Sequence, residues 1–126
     1  MTTNHPELTD QTIALTDTCL EGLTHMQSQL EQGLHEASLR LYCNVLEAVV
    51  QVEASVNLVL KEEEEEGQLD RWAEVRDQLN ARLAEMADSF QAYRWNDILP
   101  QLQRVLPEFK IWQQTVYEYM SPKFLV

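Results

Sequence analysis

Residues 97–120 read Asp-Ile-Leu-Pro-Gln-Leu-Gln-Arg-Val-Leu-Pro-Glu-Phe-Lys-Ile-Trp-Gln-Gln-Thr-Val-Tyr-Glu-Tyr-Met. In this stretch Ile98, Leu102, Val105, Phe109, Trp112, Val116 and Tyr119 recur every three or four positions without a break. That spacing lines one face of a packed α-helix. Asp97 is the expected N-cap, which sets Pro100 in the first turn, where a missing N–H costs nothing. Pro107 lies deeper, removes one backbone bond and is expected to kink the helix. Ser121-Pro122 stops it, because the residue before a proline avoids the α region.

The same period runs backwards through the chain. A third seam holds Leu69, Trp72, Arg76, Leu79, Leu83, Met86, Phe90 and Tyr93, broken only by Arg76. A second holds Ser38, Tyr42, Val45, Val49, Val52, Val56 and Val59. Its β-branched residues suit strands, but the period is helical and the run is too long for a strand. The first and weakest holds Ile13, Thr16, Leu20, Leu23, Gln27, Leu30 and Leu34. Pro6 or Asp10 can open the first helix, and Gly33-Leu34 reads as a left-handed cap closing it. Gly67 separates the second helix from the third, and the last link falls near residues 94–97. The predicted helices are 8–32, 36–64, 68–94 and 97–120, with a tail at 121–126. Short links make neighbours antiparallel, so the fold class is all-α: an up-down-up-down four-helix bundle with a Pro-kinked last helix. The 126 residues form one domain, and no internal repeat is evident beyond the helical period.

Charge and aromatic residues divide the chain in opposite ways. Residues 1–70 hold 14 acids against Arg40 and Lys61, while residues 71–126 hold seven of each sign, so the whole net charge of −12 belongs to the first half. Such a balance argues against nucleic acid, whose binding needs a positive footprint, and against anionic lipid. No apolar run approaches the roughly 20 residues of a bilayer span. Met1–Glu7 has no basic region followed by an apolar stretch, so no secretory leader is expected. Two isolated cysteines, Cys19 and Cys43, fit the cytoplasm. Reflection about the first turn places them roughly 10 Å apart along the bundle, too far for a disulfide. Tyr42 is the only aromatic residue before Trp72, and the other nine follow from there.

Chemistry is hard to assemble from these residues. A di-metal bundle needs Glu-x-x-His on two helices, but His25 and His35 have their acids, Glu21 and Glu31, four residues upstream. No histidine occurs in the last two helices. Neither a nucleophile elbow, a phosphate loop nor a dinucleotide fingerprint is present. No metal, cofactor or catalytic residue is therefore expected.

Three groups of residues stand out. Reflection about the turns stacks Thr16, Glu53, Arg76 and Thr115 at one level. An arginine on a core seam needs a counter-charge, so Glu53 is its expected partner in a polar layer that fixes helix register; a small ligand slot lined by Arg76 is the alternative. Gln27 falls level with the hydroxyl of Tyr42. The run Glu62, Glu63, Glu64, Glu65 and Glu66 sits at a helix C-terminus, where the dipole is already negative, so the last turn is expected to fray. It reads as a solvated helix end, or as a docking patch for a basic partner or a loose divalent cation. Tyr93, Trp95, Trp112, Tyr117 and Tyr119 form the candidate partner-binding surface, since exposed aromatics are common interface anchors; the alternative is that they complete an ordinary core and shield the Pro107 kink.

The stretch Tyr93–Trp112 also resembles the final helix of an uncharacterised family of small all-helical bacterial proteins, mostly from Firmicutes. There an acidic-aromatic start leads into a Leu-rich stretch, then Leu-Pro, then Trp five residues beyond. Leu106, Pro107 and Trp112 match, while Tyr93 stands where an acid is expected. The resemblance implies a bundle and no assigned activity. The architecture is similar, at fold level, to flagellar and type III export chaperones, which are small acidic bundles that hold a segment of a partner. The expected function is a non-enzymatic module that binds another protein. The alternatives are a homodimeric structural or regulatory bundle, an export-chaperone-like protein, and a small-molecule or metal binder.

Overall fold

The computed structural model describes residues 6–63 and 66–121. Four helices fill it: α1 (Pro6–Glu31), α2 (His35–Glu63), α3 (Glu66–Gln91) and α4 (Trp95–Met120). They form an all-α antiparallel bundle. α1 packs along α2 and α4, and α3 along α4. α2 and α4 approach each other across the diagonal, while α1 and α3 stay at opposite corners. One core cluster runs through all four helices.

The α4 stripe is buried as its spacing predicts, from Ile98 through Leu102, Val105, Phe109, Trp112 and Val116 to Tyr119, with Thr115 and Met120 beside it. Each large apolar side chain on it gains about 1.5–3 kcal/mol from leaving water. The helix start is earlier than the spacing suggested. Arg94 occupies the N-cap position without a side-chain cap bond. Asp97 lies three residues on, with its N–H on the Arg94 carbonyl and its carboxylate 3.4 Å from the Arg94 guanidinium. It serves the positive end of the dipole from inside the first turn. Pro100 therefore falls in the second turn, and its ring does remove a backbone bond. Pro100 and Pro107 are both exposed, as are Asn96 and Gln103, whose carbonyls lose their partners. Water can satisfy those carbonyls, and the helix runs on through both prolines.

The first seam shifts. Its buried residues are Thr12, Thr16, Cys19, Leu23 and Met26, while Ile13, Leu20 and Gln27 lie on the flank. Gly22 explains the close fit of α1 on α2: a Cβ there would stand 3.0 Å from a methyl of Val45. Leu69 and Tyr93, at the ends of the predicted third seam, are exposed. Gly67 belongs to the first turn of α3 and does not separate the helices; residues 64–65 lie outside the described residues.

A repeat that the residue types hide appears in the structure. A shift of 60 residues carries Pro6–Glu31 onto Glu66–Gln91 and His35 onto Trp95. It also carries buried Cys19, Leu23, Met26, Val45, Val49, Val52 and Val56 onto buried Leu79, Leu83, Met86, Val105, Phe109, Trp112 and Val116. The bundle is thus two like helical hairpins. Both hairpins turn through the same cap. Gly33, at φ 76°, donates to the Leu30 carbonyl at 3.1 Å, and Leu34 donates to Gln29 at 2.8 Å. Tyr93, at φ 57°, donates to Phe90 at 3.2 Å, and Arg94 donates to Ser89 at 2.9 Å. Glycine takes this left-handed conformation freely, whereas a side chain costs about 1–2 kcal/mol. Gly33→Ala should therefore destabilise the fold by about 1 kcal/mol. Tyr93→Gly should stabilise it by up to about 1 kcal/mol, less whatever the Tyr93 ring contributes against Trp95. Opposite shifts of the urea midpoint at constant slope are the expected result.

Candidate functional site

Glu53 on α2 is the one acid among the buried residues described, with 9% of its surface exposed. Its carboxylate accepts two bonds, from Asn80 Nδ2 of α3 at 3.2 Å and from Trp112 Nε1 of α4 at 3.2 Å. Burial holds its carboxyl above the usual carboxylate range, and these two donors and the Arg76 charge only partly offset that. Arg76 is not its ion-pair partner, as the sequence suggested. The Arg76 side chain is half-buried and bonds Asp77 at 3.1 Å, because a guanidinium on this flank reaches water and a neighbouring acid at less cost than the core. Thr16 and Thr115 are buried near this level, but each hydroxyl donates to its own helix, to Ile13 and Ile111. Thr16 also accepts from Gln113 of α4 at 3.1 Å. Of the expected layer Glu53 keeps its place, and its partners are Asn80 and Trp112 instead of Arg76.

The second polar expectation changes in the same way. Tyr42 is buried, and its hydroxyl donates to the Leu83 carbonyl of α3 and not to Gln27. Burial pushes this hydroxyl up to about 12. Trp72 donates through Nε1 to Asn57 Oδ1 at 2.6 Å. The seam between α2 and α3 is thus tied by Tyr42–Leu83, Glu53–Asn80 and Asn57–Trp72. Neither Asn57 nor Asn80 was legible as a partner, since an asparagine beside a seam has no pattern of its own.

The predicted aromatic surface divides. Trp112 is fully buried and Tyr119 nearly so, both committed to a core cluster with Trp72 and Phe109. They are not surface anchors. Large rings fill the gap where valines on α2 leave space. Tyr117 is half-buried and donates to Asp17 of α1 at 3.0 Å. Trp95 is half-buried at the bundle end, stacked on His35 with ring centroids 4.5 Å apart. Of the five, only Tyr93 is openly exposed, at 75%. The acidic patch Glu62–Glu66 lies outside the residues whose side chains are described.

The apolar surface lies elsewhere, on the outer face of α2. Leu39 is 37% exposed, Val50 65% and Leu58 46%, with exposed Cys43 and Ala54 and half-buried Leu46 along the same stripe. By length and composition α2 from His35 to Lys61 could cross a bilayer, and 33% of its apolar window is buried within the bundle. This differs from the expectation that no apolar run is long enough: Gln51, Glu53, Ser55 and Asn57 interrupt the segment, but its mean hydropathy stays high. The stripe was written at the same three-to-four spacing as the valine seam, which masked it.

Among the described residues no cluster of three or more His, Cys, Asp or Glu could hold a metal. Both cysteines are free, Cys19 buried and Cys43 exposed. Burial pushes the Cys19 thiol up to about 11, which leaves it a poor nucleophile. Leu20, Glu21, Thr24, His25 and Ser28 line an open, shallow depression of about 550 Å³ along α1.

The Glu53 site yields a pH prediction. A carboxyl raised on folding binds its proton more tightly in the native state. Its stabilising contribution is full below the unfolded value of 4.5 and is lost as pH rises through the raised native value. Glu53→Gln removes that titration and keeps an acceptor for Trp112 and a donor for a flipped Asn80. Its stability relative to wild type should increase from pH 4 to pH 8 in urea titrations. Trp112→Phe leaves the carboxylate short of a donor and should cost about 1–3 kcal/mol at neutral pH.

No curated protein and no solved structure matches this sequence. Residues 7–115 match the family described as Domain of unknown function (DUF8042), a span that takes in the layer around Glu53, the outer face of α2 and both hairpin turns. With most of its length covered, the chain belongs to the DUF8042 family.

Proposed function

We propose that the chain is a non-enzymatic, cytoplasmic protein-binding bundle whose contact surface is the outer face of α2. The observation behind this is the line of exposed apolar residues Leu39, Cys43, Val50, Ala54 and Leu58 on a helix whose opposite face is fully used by the core. A helix with two apolar faces needs two partners, and the bundle supplies one. The net charge of −12 disfavours nucleic acid and anionic lipid as the second. Two free, isolated cysteines suit a reducing compartment. The Leu106-Pro107 and Trp112 pattern supports a bacterial, Firmicute-type setting.

A native-lysate pull-down tests this, with Val50→Glu as control bait after its helicity and melting point are matched to wild type. The expected capture survives a high-salt wash and is lost with Val50→Glu, because an apolar contact is not screened. Capture that Val50→Glu leaves intact overturns the assignment of this face. Capture lost only in high salt moves the contact to the acidic hairpin.

A further inference from the structure

We infer that the occupant of the α2 face is a second copy of this chain, packed antiparallel so that α2 lies against α2 about a two-fold axis between residues 48 and 49. The inference rests on the reading of α2 as a contact face and adds the partner and its orientation. The outer parts of the stripe are self-complementary in that direction. About this axis Leu39 of one copy falls level with Leu58 of the other, and Cys43 falls level with Ala54. Leu46 and Val50 lie beside the axis, level with Gln51 and Glu47 of the other copy, so the apolar match is made towards the two ends and the centre is mixed. These residues span the outer face from its first turn to its last, as an isologous contact requires.

The ends of the stripe supply an independent argument. Glu36 and Lys61 continue it at helical spacing, both exposed, and lie equally far from the axis. Neither makes an ion pair with another described residue. Antiparallel packing sets Glu36 of each copy against Lys61 of the other, twice over. Parallel packing would set Glu36 against Glu36 and Lys61 against Lys61. It would also align the two helix dipoles side by side, whereas the antiparallel pair opposes them. Between these ends the outward face carries few charges: Arg40 and Glu47 are the only other ionisable acids or bases of α2 before Lys61 that are exposed. An unrelated protein has no need of this symmetry.

The test uses the full chain and its native exposed cysteine. Light scattering after size exclusion should give twice the 14.7 kDa chain mass at high concentration. Val50→Glu should weaken the dimer by at least about tenfold while circular dichroism stays unchanged, since each copy would add a carboxylate at the axis beside Glu47 of the other. Lys61→Glu should weaken it by about threefold, and Glu36→Lys with Lys61→Glu in one chain should restore it. Oxidation should not link the two Cys43 thiols, which lie roughly 16 Å apart along an antiparallel pair. Rapid Cys43 cross-linking would show a parallel pair and overturn the inference. So would a dimer indifferent to Val50→Glu. A chain that stays monomeric, yet captures another protein or floats with neutral vesicles through Val50, also overturns it. In the first of those cases the protein-binding reading survives, and in the second it falls as well.

Discussion

A carboxylate inside an apolar core must be surrounded by donors, and Glu53 is placed where three helices can provide them. Asn80 comes from α3 and Trp112 from α4, each 3.2 Å from a different oxygen of the acid on α2. An axial slip of one helix by a single turn, about 5.4 Å, would break these bonds and strand the charge. The apolar contacts around this level are less demanding. Valines on α2 and rings on α4 would tolerate other registers at modest cost. The polar bonds therefore fix register, while apolar burial supplies most of the stability.

The Glu53 layer also shapes the seam between α2 and α3. Along it, long side chains reach across: Tyr42 to the Leu83 carbonyl, Trp72 to Asn57 and Asn80 to Glu53. The α3–α4 seam is closed instead by apolar packing with Arg71–Glu118 and Arg82–Glu108 at its edge. The two hairpins repeat one another in length and burial, but they meet unevenly. Aliphatic residues fill the first hairpin and aromatic ones the second. The outer face of α2, next to the polar seam, is left apolar and exposed.

What was legible in the sequence depended on how local its physical cause was. The α4 stripe was plain because seven apolar positions repeat without interruption. Gly33 was plain because only a residue without a Cβ takes φ 76° at no cost. Tyr93 makes the same turn and could not be read, because nothing in a tyrosine announces a left-handed backbone. The level of Glu53 came from reflecting the helices about their turns. The choice of partner did not, since Arg76, Asn80 and Trp112 all lie within reach of that level. Arg76 was favoured by charge and lost to solvation: on a half-buried flank a guanidinium does better with Asp77 and water than with a buried acid. The aromatic surface was misjudged for a similar reason. Trp112, Tyr117 and Tyr119 span more than one face of α4, which by itself says only that some reach the surface; the stripe takes Trp112 and Tyr119 into the core and leaves Tyr117 on the flank.

By itself, the sequence determined four helices, their antiparallel order, the turn at Gly33 and the placement of charge in the first half. All of these follow from the 3.6-residue period, short links and composition, which act over a few residues at a time. Only the tertiary structure decided which donors meet Glu53, that a 60-residue hairpin repeat underlies the bundle, and which of two apolar faces on α2 turns inward. Each of those depends on residues far apart in the chain arriving at one place. The inward face of α2 is the one whose valines, with Glu53 among them, match the rings and donors brought by α3 and α4, so Leu39, Val50 and Leu58 are left facing water.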